Sequence, residues 1–196
     1  MENKLAVKFS DYLLKNNIID EELYDVYVYG SELALSFIFT TIIIITLGVL
    51  TKTYLQTAIH LIVFVGLRRS TGGFHASTHM RCKIITIAVY LIVVIFSVLL
   101  NVSFMFYIVL LTIGLSTIII MGPIENPNKT LSDHTKKKNK AIAISTFTIL
   151  CITGTVLSFL SKPLGNSLFY SLASVIALML ITILQKGGKT NEKSNC

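Results

Sequence analysis

Charge is scarce in this sequence. Aspartate, glutamate, lysine and arginine make up only 14% of its 196 residues, against roughly 25% in soluble domains. Tryptophan is absent, and cysteine occurs three times. Hydrophobic residues account for 53%, and the mean hydropathy is +0.73. A chain of this length makes one soluble domain at most, and such a domain cannot hide that much apolar side chain. Disorder, a collagen-like repeat and a disulfide scaffold are excluded by the same composition. What remains is an integral membrane protein whose apolar surface faces lipid. The formal net charge is +7. In this setting the excess points to basic cytoplasmic loops and anionic lipid, not to nucleic acid.

The cysteines are Cys82, Cys151 and Cys196. Their number is odd and their spacings wide, so neither a disulfide framework nor a zinc site is indicated, and no cofactor is called for. Cys151 sits in an apolar run and reads as core packing. Cys196 ends a polar tail. Cys82 lies among charges at the end of an apolar run. A secretory signal peptide is not evident either, because the first apolar run begins only at Leu33 and no short basic segment adjoins it.

Six charge-free segments follow: Leu33–Leu50, Tyr54–Leu67, Ile84–Leu100, Val102–Gly122, Ala141–Ser161 and Leu164–Leu184. Most approach the roughly 17–25 residues that cross about 30 Å of hydrocarbon. Backbone groups find no water there, so each is expected to be helical. The run from Ile84 to Gly122 is too long for one crossing, and Asn101 reads as the turn that divides it. Gly114 and Gly154 allow close helix approach. Tyr54–Leu67 is short for the bilayer and carries Gln56 and His60. It crosses if the helix runs on through Arg68 and Arg69, whose side chains can snorkel; otherwise it is re-entrant.

The loop charges favour crossing. Lysine and arginine are rich in residues 1–32 (Lys4, Lys8, Lys15), in the second loop (Arg68, Arg69, Arg81, Lys83), in the fourth (Lys129, Lys136, Lys137, Lys138, Lys140) and in the tail (Lys186, Lys189, Lys193). The intervening loops hold Lys52, none, and Lys162. The alternation predicts an all-α protein with six transmembrane helices and both termini cytoplasmic. Residues 1–32 form a cytoplasmic amphipathic segment, with Leu5, Phe9 and Leu13 at helical spacing and tyrosines Tyr24, Tyr27 and Tyr29 near the interface. Residues 33–185 form the six-helix membrane domain, and 186–196 a cytoplasmic polar tail. His60 is an intramembrane ionisable group and reads as a hydrogen-bonded core histidine. The Lys136–Lys140 run reads as a topology signal that also attracts anionic lipid.

The second cytoplasmic loop, Arg68 to Lys83, holds two of the four histidines, one cysteine and four cations. A reactive cysteine needs thiolate character, which neighbouring cations favour and apolar burial opposes. Cys82 alone stands between cations, Arg81 and Lys83. A histidine can take its proton and return it to a leaving amine. Gly72 and Gly73 allow unusual backbone angles, so amides there can face an oxyanion. Spacing leaves the base open. On a continuous helix His79, three residues before Cys82, is a neighbour, whereas His75, seven before, has its Cα about 10.5 Å away. His75 serves only if the segment bends or turns helical after it.

Gly72-Gly73-Phe74-His75-Ala76, with Cys82 opening an apolar helix, resembles the AgrB family of membrane cysteine endopeptidases from Gram-positive quorum-sensing systems. Pro123-Ile124-Glu125-Asn126-Pro127-Asn128-Lys129 is a second point of likeness, and length, charge and multiple spans agree. The resemblance implies Cys82 as nucleophile and His75 as base, leaving His79 a surface residue. It implies an AgrD-like propeptide as substrate, cut on its C-terminal side through an acyl-enzyme thioester. A cysteine or serine in the propeptide then closes a thiolactone or lactone ring. Arg68, Arg69 and Glu125 are candidate contacts for substrate or oxyanion, and Glu125 is a candidate partner for His75. Membrane lipid and a second copy of the chain are candidate partners. The alternative is a small six-helix transporter or peptide exporter without proteolytic activity, though the sequence has no Gly-rich nucleotide loop.

Overall fold

The computed structural model describes residues 2–72, 79–124 and 132–194, with side chains over 3–72, 80–124 and 132–184. Among these residues the regular elements are all helices: α1 (Glu2–Lys15), a 3-10 turn at Glu21–Leu23, α2 (Tyr24–Leu50), α3 (Tyr54–Thr71), α4 (His79–Leu99), α5 (Phe104–Met121), α6 (Asp133–Leu160) and α7 (Lys162–Ser194). Five helices, α2, α4, α5, α6 and α7, are long and apolar enough to cross a membrane. The chain is therefore a multi-pass membrane protein.

The expected segments reappear as helices, with shifted ends. α2 begins at Tyr24, nine residues before the charge-free run at Leu33, so residue 32 lies inside a helix. α7 continues as helix past Leu184 to Ser194. Absence of charge marks the length that lipid can cover; it does not mark where backbone hydrogen bonding stops. The Ile84–Gly122 run divides where Asn101 placed the turn, between Leu99 and Phe104. Asn166 of α7 holds that turn. Its amide nitrogen donates to the carbonyls of Ser97 (3.2 Å) and Leu100 (2.8 Å), and its oxygen accepts from the Val102 amide (3.2 Å). One side chain thus satisfies backbone groups that the end of α4 leaves unpaired.

α7 is the hub. Half of its spanning residues are buried inside the protein, against 22–28% in the other four long helices. Leu168, Leu172, Ile176 and Met179 meet Val63, Phe64 and Leu67 of α3 and Phe147 and Cys151 of α6 in one core. A smaller cluster joins Ile44 of α2 to Tyr90 and Val94 of α4. Gly114 of α5 lets α6 come close, since a Cβ there would collide with the Phe147 ring. Gly154 likewise faces Tyr107 and Leu168.

α3 is an unbroken helix of 18 residues, about 27 Å long at 1.5 Å per residue. It is not among the five helices long and apolar enough to cross a membrane, and its polar groups explain how it is nevertheless held. Thr57 Oγ1 and Tyr90 Oη lie 2.8 Å apart. His60 is fully buried, with Nδ1 3.1 Å from Ser171 Oγ and its ring stacked on Phe64. Ser167 Oγ donates to the Gln56 carbonyl at 3.1 Å. A polar seam from α4 and α7 thus pairs several groups of α3 that are buried away from water, while His60 Nε2 is buried with no hydrogen-bond partner among the described residues. Through Nδ1, His60 is the hydrogen-bonded core histidine expected from sequence.

α1 is a helix, as its spacing indicates, but its larger apolar residues are not the ones that pack. Ala6 and Ser10 are fully buried while Leu5, Phe9 and Tyr12 remain exposed. Asp11 accepts a 2.6 Å hydrogen bond from the Tyr24 hydroxyl, tying α1 to α2. Small residues allow the two helices close approach, and the larger apolar residues are left as a strip beside Lys4 and Lys8.

Candidate active site

The loop singled out by its histidines and cysteine hangs between α3 and α4. In the last turn of α3, Ser70 and Thr71 are buried, and both hydroxyls donate to the Leu67 carbonyl at 3.0 Å. Arg68 lays its guanidinium over the Phe64 ring, 5.1 Å from the centroid, a cation–π arrangement. Arg69 is exposed at the same helix end. Gly72 stops the helix with φ +69° and ψ −156°, while its amide donates to the Arg68 carbonyl at 3.0 Å.

α4 begins at His79, which places Cys82 in its first turn. Cys82 is half-buried between exposed Arg81 and half-buried Lys83. Its carbonyl accepts from Thr86 Oγ1 at 2.9 Å, which leaves the sulfur uninvolved in that bond. These are the surroundings in which cysteines act as nucleophiles. Cys151, by contrast, is 3% exposed in the core beside Phe147. Only one of the two cysteines with described side chains can be approached from outside.

α5 ends at Met121, and the chain then passes Gly122 and Pro123 to Ile124. Ile124 pairs with Gly72 in an isolated parallel bridge, its amide donating to the Thr71 carbonyl at 2.9 Å. The end of α3, the segment after α5 and the two loops that follow them are therefore rooted together. α6 starts beyond the second loop with Ser132 as its cap, accepting from the Thr135 amide at 3.4 Å. Its first turns carry exposed Lys137 and Lys138.

The structure thus brings Gly72 against Ile124 and sets Cys82 at a helix start, with Arg68 and Arg69 closing the preceding helix. Gly73, His75 and Glu125 lie outside the described residues, as does the side chain of His79. The Gly72 amide is already engaged by Arg68, so of the two glycines it is Gly73 whose amide the oxyanion expectation now concerns. Ile124 and Thr71 were not singled out from sequence. Pro123 beside them was the only local signal, since a pairing between distant segments leaves no spacing to read.

The sequence profile described as Accessory gene regulator B matches residues 6–185. Relatives called Accessory gene regulator protein B share 29% identity over 169 residues in Staphylococcus carnosus (strain TM300), covering 86% of this chain and 85% of theirs. In Staphylococcus lugdunensis the figures are 28% over 142 residues, 72% and 76%. In Staphylococcus aureus (strain N315) they are 20% over 156 residues, 80% and 83%. No solved structure matches.

Proposed function

We infer that this chain, which belongs to the accessory gene regulator B family, is a membrane cysteine endopeptidase that cuts and cyclises an AgrD-like propeptide. It is a multi-pass protein of the cell membrane of a Gram-positive bacterium. The observation that carries the reading is the placement of Cys82. It stands accessible in the first turn of α4, between two cations, where the segment containing His75 joins the helix.

In the proposed mechanism Cys82 Sγ bonds to the scissile carbonyl carbon as His75 takes the thiol proton. Charge collects on the carbonyl oxygen, where the Gly73 amide, the start of α4 and Arg68 or Arg69 can stabilise it. Collapse breaks the C–N bond, and His75 passes the proton to the departing amine of the tail. A thioester joins Cys82 to the retained peptide. A cysteine within that peptide then attacks the thioester, closes a thiolactone and releases Cys82. With serine the ring is a lactone. Thioester exchange keeps the acyl group activated, so cyclisation needs no ATP, provided water is held off. Glu125 is a candidate for orienting His75 or for contacting the substrate.

The chain alone, in lipid vesicles with a synthetic propeptide, should yield a free tail and a cyclic product without nucleotide. Uncut propeptide appearing inside the vesicles would instead identify an exporter.

The same reading has α3 crossing the membrane, giving six spans with both termini in the cytoplasm. Reporter fusions after Lys52, Asn101 and Lys162 should then report outside, and those after Lys83 and Lys138 inside. A cytoplasmic Lys52 would make α3 re-entrant. α1 would lie in the cytoplasmic interface, with Leu5, Phe9 and Tyr12 in the acyl boundary and Lys4 and Lys8 toward anionic headgroups.

A further inference from the structure

Gly72 stands in a backbone region that is essentially closed to residues with a side chain, φ +69° and ψ −156°. It also has no room for one. A Cβ at Gly72 would run into the carbonyl oxygen of Ile124, with the Ile124 carbonyl carbon at 3.1 Å and its nitrogen at 3.2 Å. These are backbone atoms, which cannot rotate aside as a side chain can. The close approach is that of the parallel bridge, in which the Ile124 amide donates to the Thr71 carbonyl.

Both sides of the bridge are anchored. Thr71 is fully buried and its hydroxyl lies within hydrogen-bond distance of the Leu67 and Gly72 carbonyls, 3.0 and 3.1 Å. Ile124 packs its side chain against the core cluster that contains Val63, Phe64 and Leu67. From these two fixed points the chain enters both polar loops. Gly72 is three residues before His75 and ten before Cys82, and Ile124 is covalently followed by Glu125.

We propose that the Gly72–Ile124 bridge is a backbone clamp that registers the histidine–cysteine loop against the Pro-rich loop, and that Gly72 is a positioning residue for the reaction. The proposal rests on the reading of this site as a cysteine peptidase. Gly72 touches neither substrate nor nucleophile in this role. It fixes where the chain leaves α3, and so the starting point from which His75 reaches Cys82. Geometry at a reacting centre is sensitive enough that a misplacement of about 1 Å costs on the order of 100-fold in rate. A clamp of this kind acts on kcat and leaves substrate binding largely intact.

The test compares Gly72→Ala with Gly66→Ala in full-length protein in vesicles, using a synthetic propeptide. Gly66 lies six residues earlier, on α3, with nothing within 4 Å of an added Cβ, so it controls for a methyl group on the helix that Gly72 ends. Gly72→Ala should lose about 100-fold in kcat with KM little changed, and Gly66→Ala should match the wild type. Ile124→Val keeps the amide and most of the packing and should retain activity, whereas Ile124→Pro removes the amide and should behave as Gly72→Ala. Equal kcat for Gly72→Ala and Gly66→Ala would overturn the proposal. Should Gly72→Ala not fold, amide hydrogen exchange on the wild type in nanodiscs decides. An Ile124 amide protected relative to an unstructured peptide supports the clamp, and an unprotected one overturns it. A wild-type chain that left the propeptide intact, or a Cys82→Ser chain that cut it, would overturn the peptidase reading and the positioning role with it, while a protected Ile124 amide would keep the clamp as a structural element.

Discussion

Replacing Cys82 by serine should lower propeptide cleavage by roughly 10^6-fold, the scale seen when an enzyme loses a nucleophile that works as one unit with its base. The variant should still insert, since Cys82 is half-buried at the start of α4 and is not among the buried core residues. Cys151→Ser should retain most activity. Its sulfur is enclosed among core residues of α6 and α7, where neither substrate nor a cation approaches it. Cys196→Ser should also retain activity. Cleavage rates with purified variants in vesicles check all three. An active Cys82→Ser together with an inactive Cys151→Ser would reverse the assignment.

The second large effect separates the two histidines. His75→Ala should lose nearly as much as Cys82→Ser, and His79→Ala little. The structure makes this contest sharper than the sequence did. α4 begins at His79, so His79 and Cys82 are three residues apart on one helix and are neighbours by its geometry. His75 would have been excluded by an unbroken helix from Gly72 to Cys82, which would set the Cα atoms of His75 and Cys82 about 10.5 Å apart. Gly72 itself is non-helical, with φ +69° and ψ −156°, so the helix of Cys82 does not reach back to Gly72; His75 lies outside the described residues. Imidazole rescue of the alanine variant that loses activity would show that a base was removed. The reverse ranking would make His79 the base and leave His75 a loop residue.

What the sequence made legible is what depends on local pattern. Charge-free runs located every long helix, because lipid exposure requires it residue by residue. Asn101 located the α4–α5 turn. The polar residues inside α3 and the cations around Cys82 were visible as exceptions to their surroundings. What stayed hidden depends on partners far along the chain. Nothing near His60 announces Ser171, and nothing near Asn101 announces that Asn166 will hold its turn. The Gly72–Ile124 bridge is of the same kind: Gly-Gly reads as a turn, and only the fold reveals that one of the pair faces another backbone. For α1 the pattern gave the helix but not its docking face. The periodicity of Leu5 and Phe9 is that of an apolar stripe, while contact with α2 selects small Ala6 and Ser10.

The central claim is a thioester on Cys82, and it can be caught. A propeptide whose internal nucleophile is replaced by alanine can still acylate the enzyme but cannot close a ring. Incubated with the wild-type chain and quenched in acid, it should add the mass of the retained peptide to the tryptic fragment containing Cys82. Hydroxylamine should remove that mass, and the tail should appear in equal amount. Release of the tail with no covalent adduct, or an adduct on any other residue, would contradict the account.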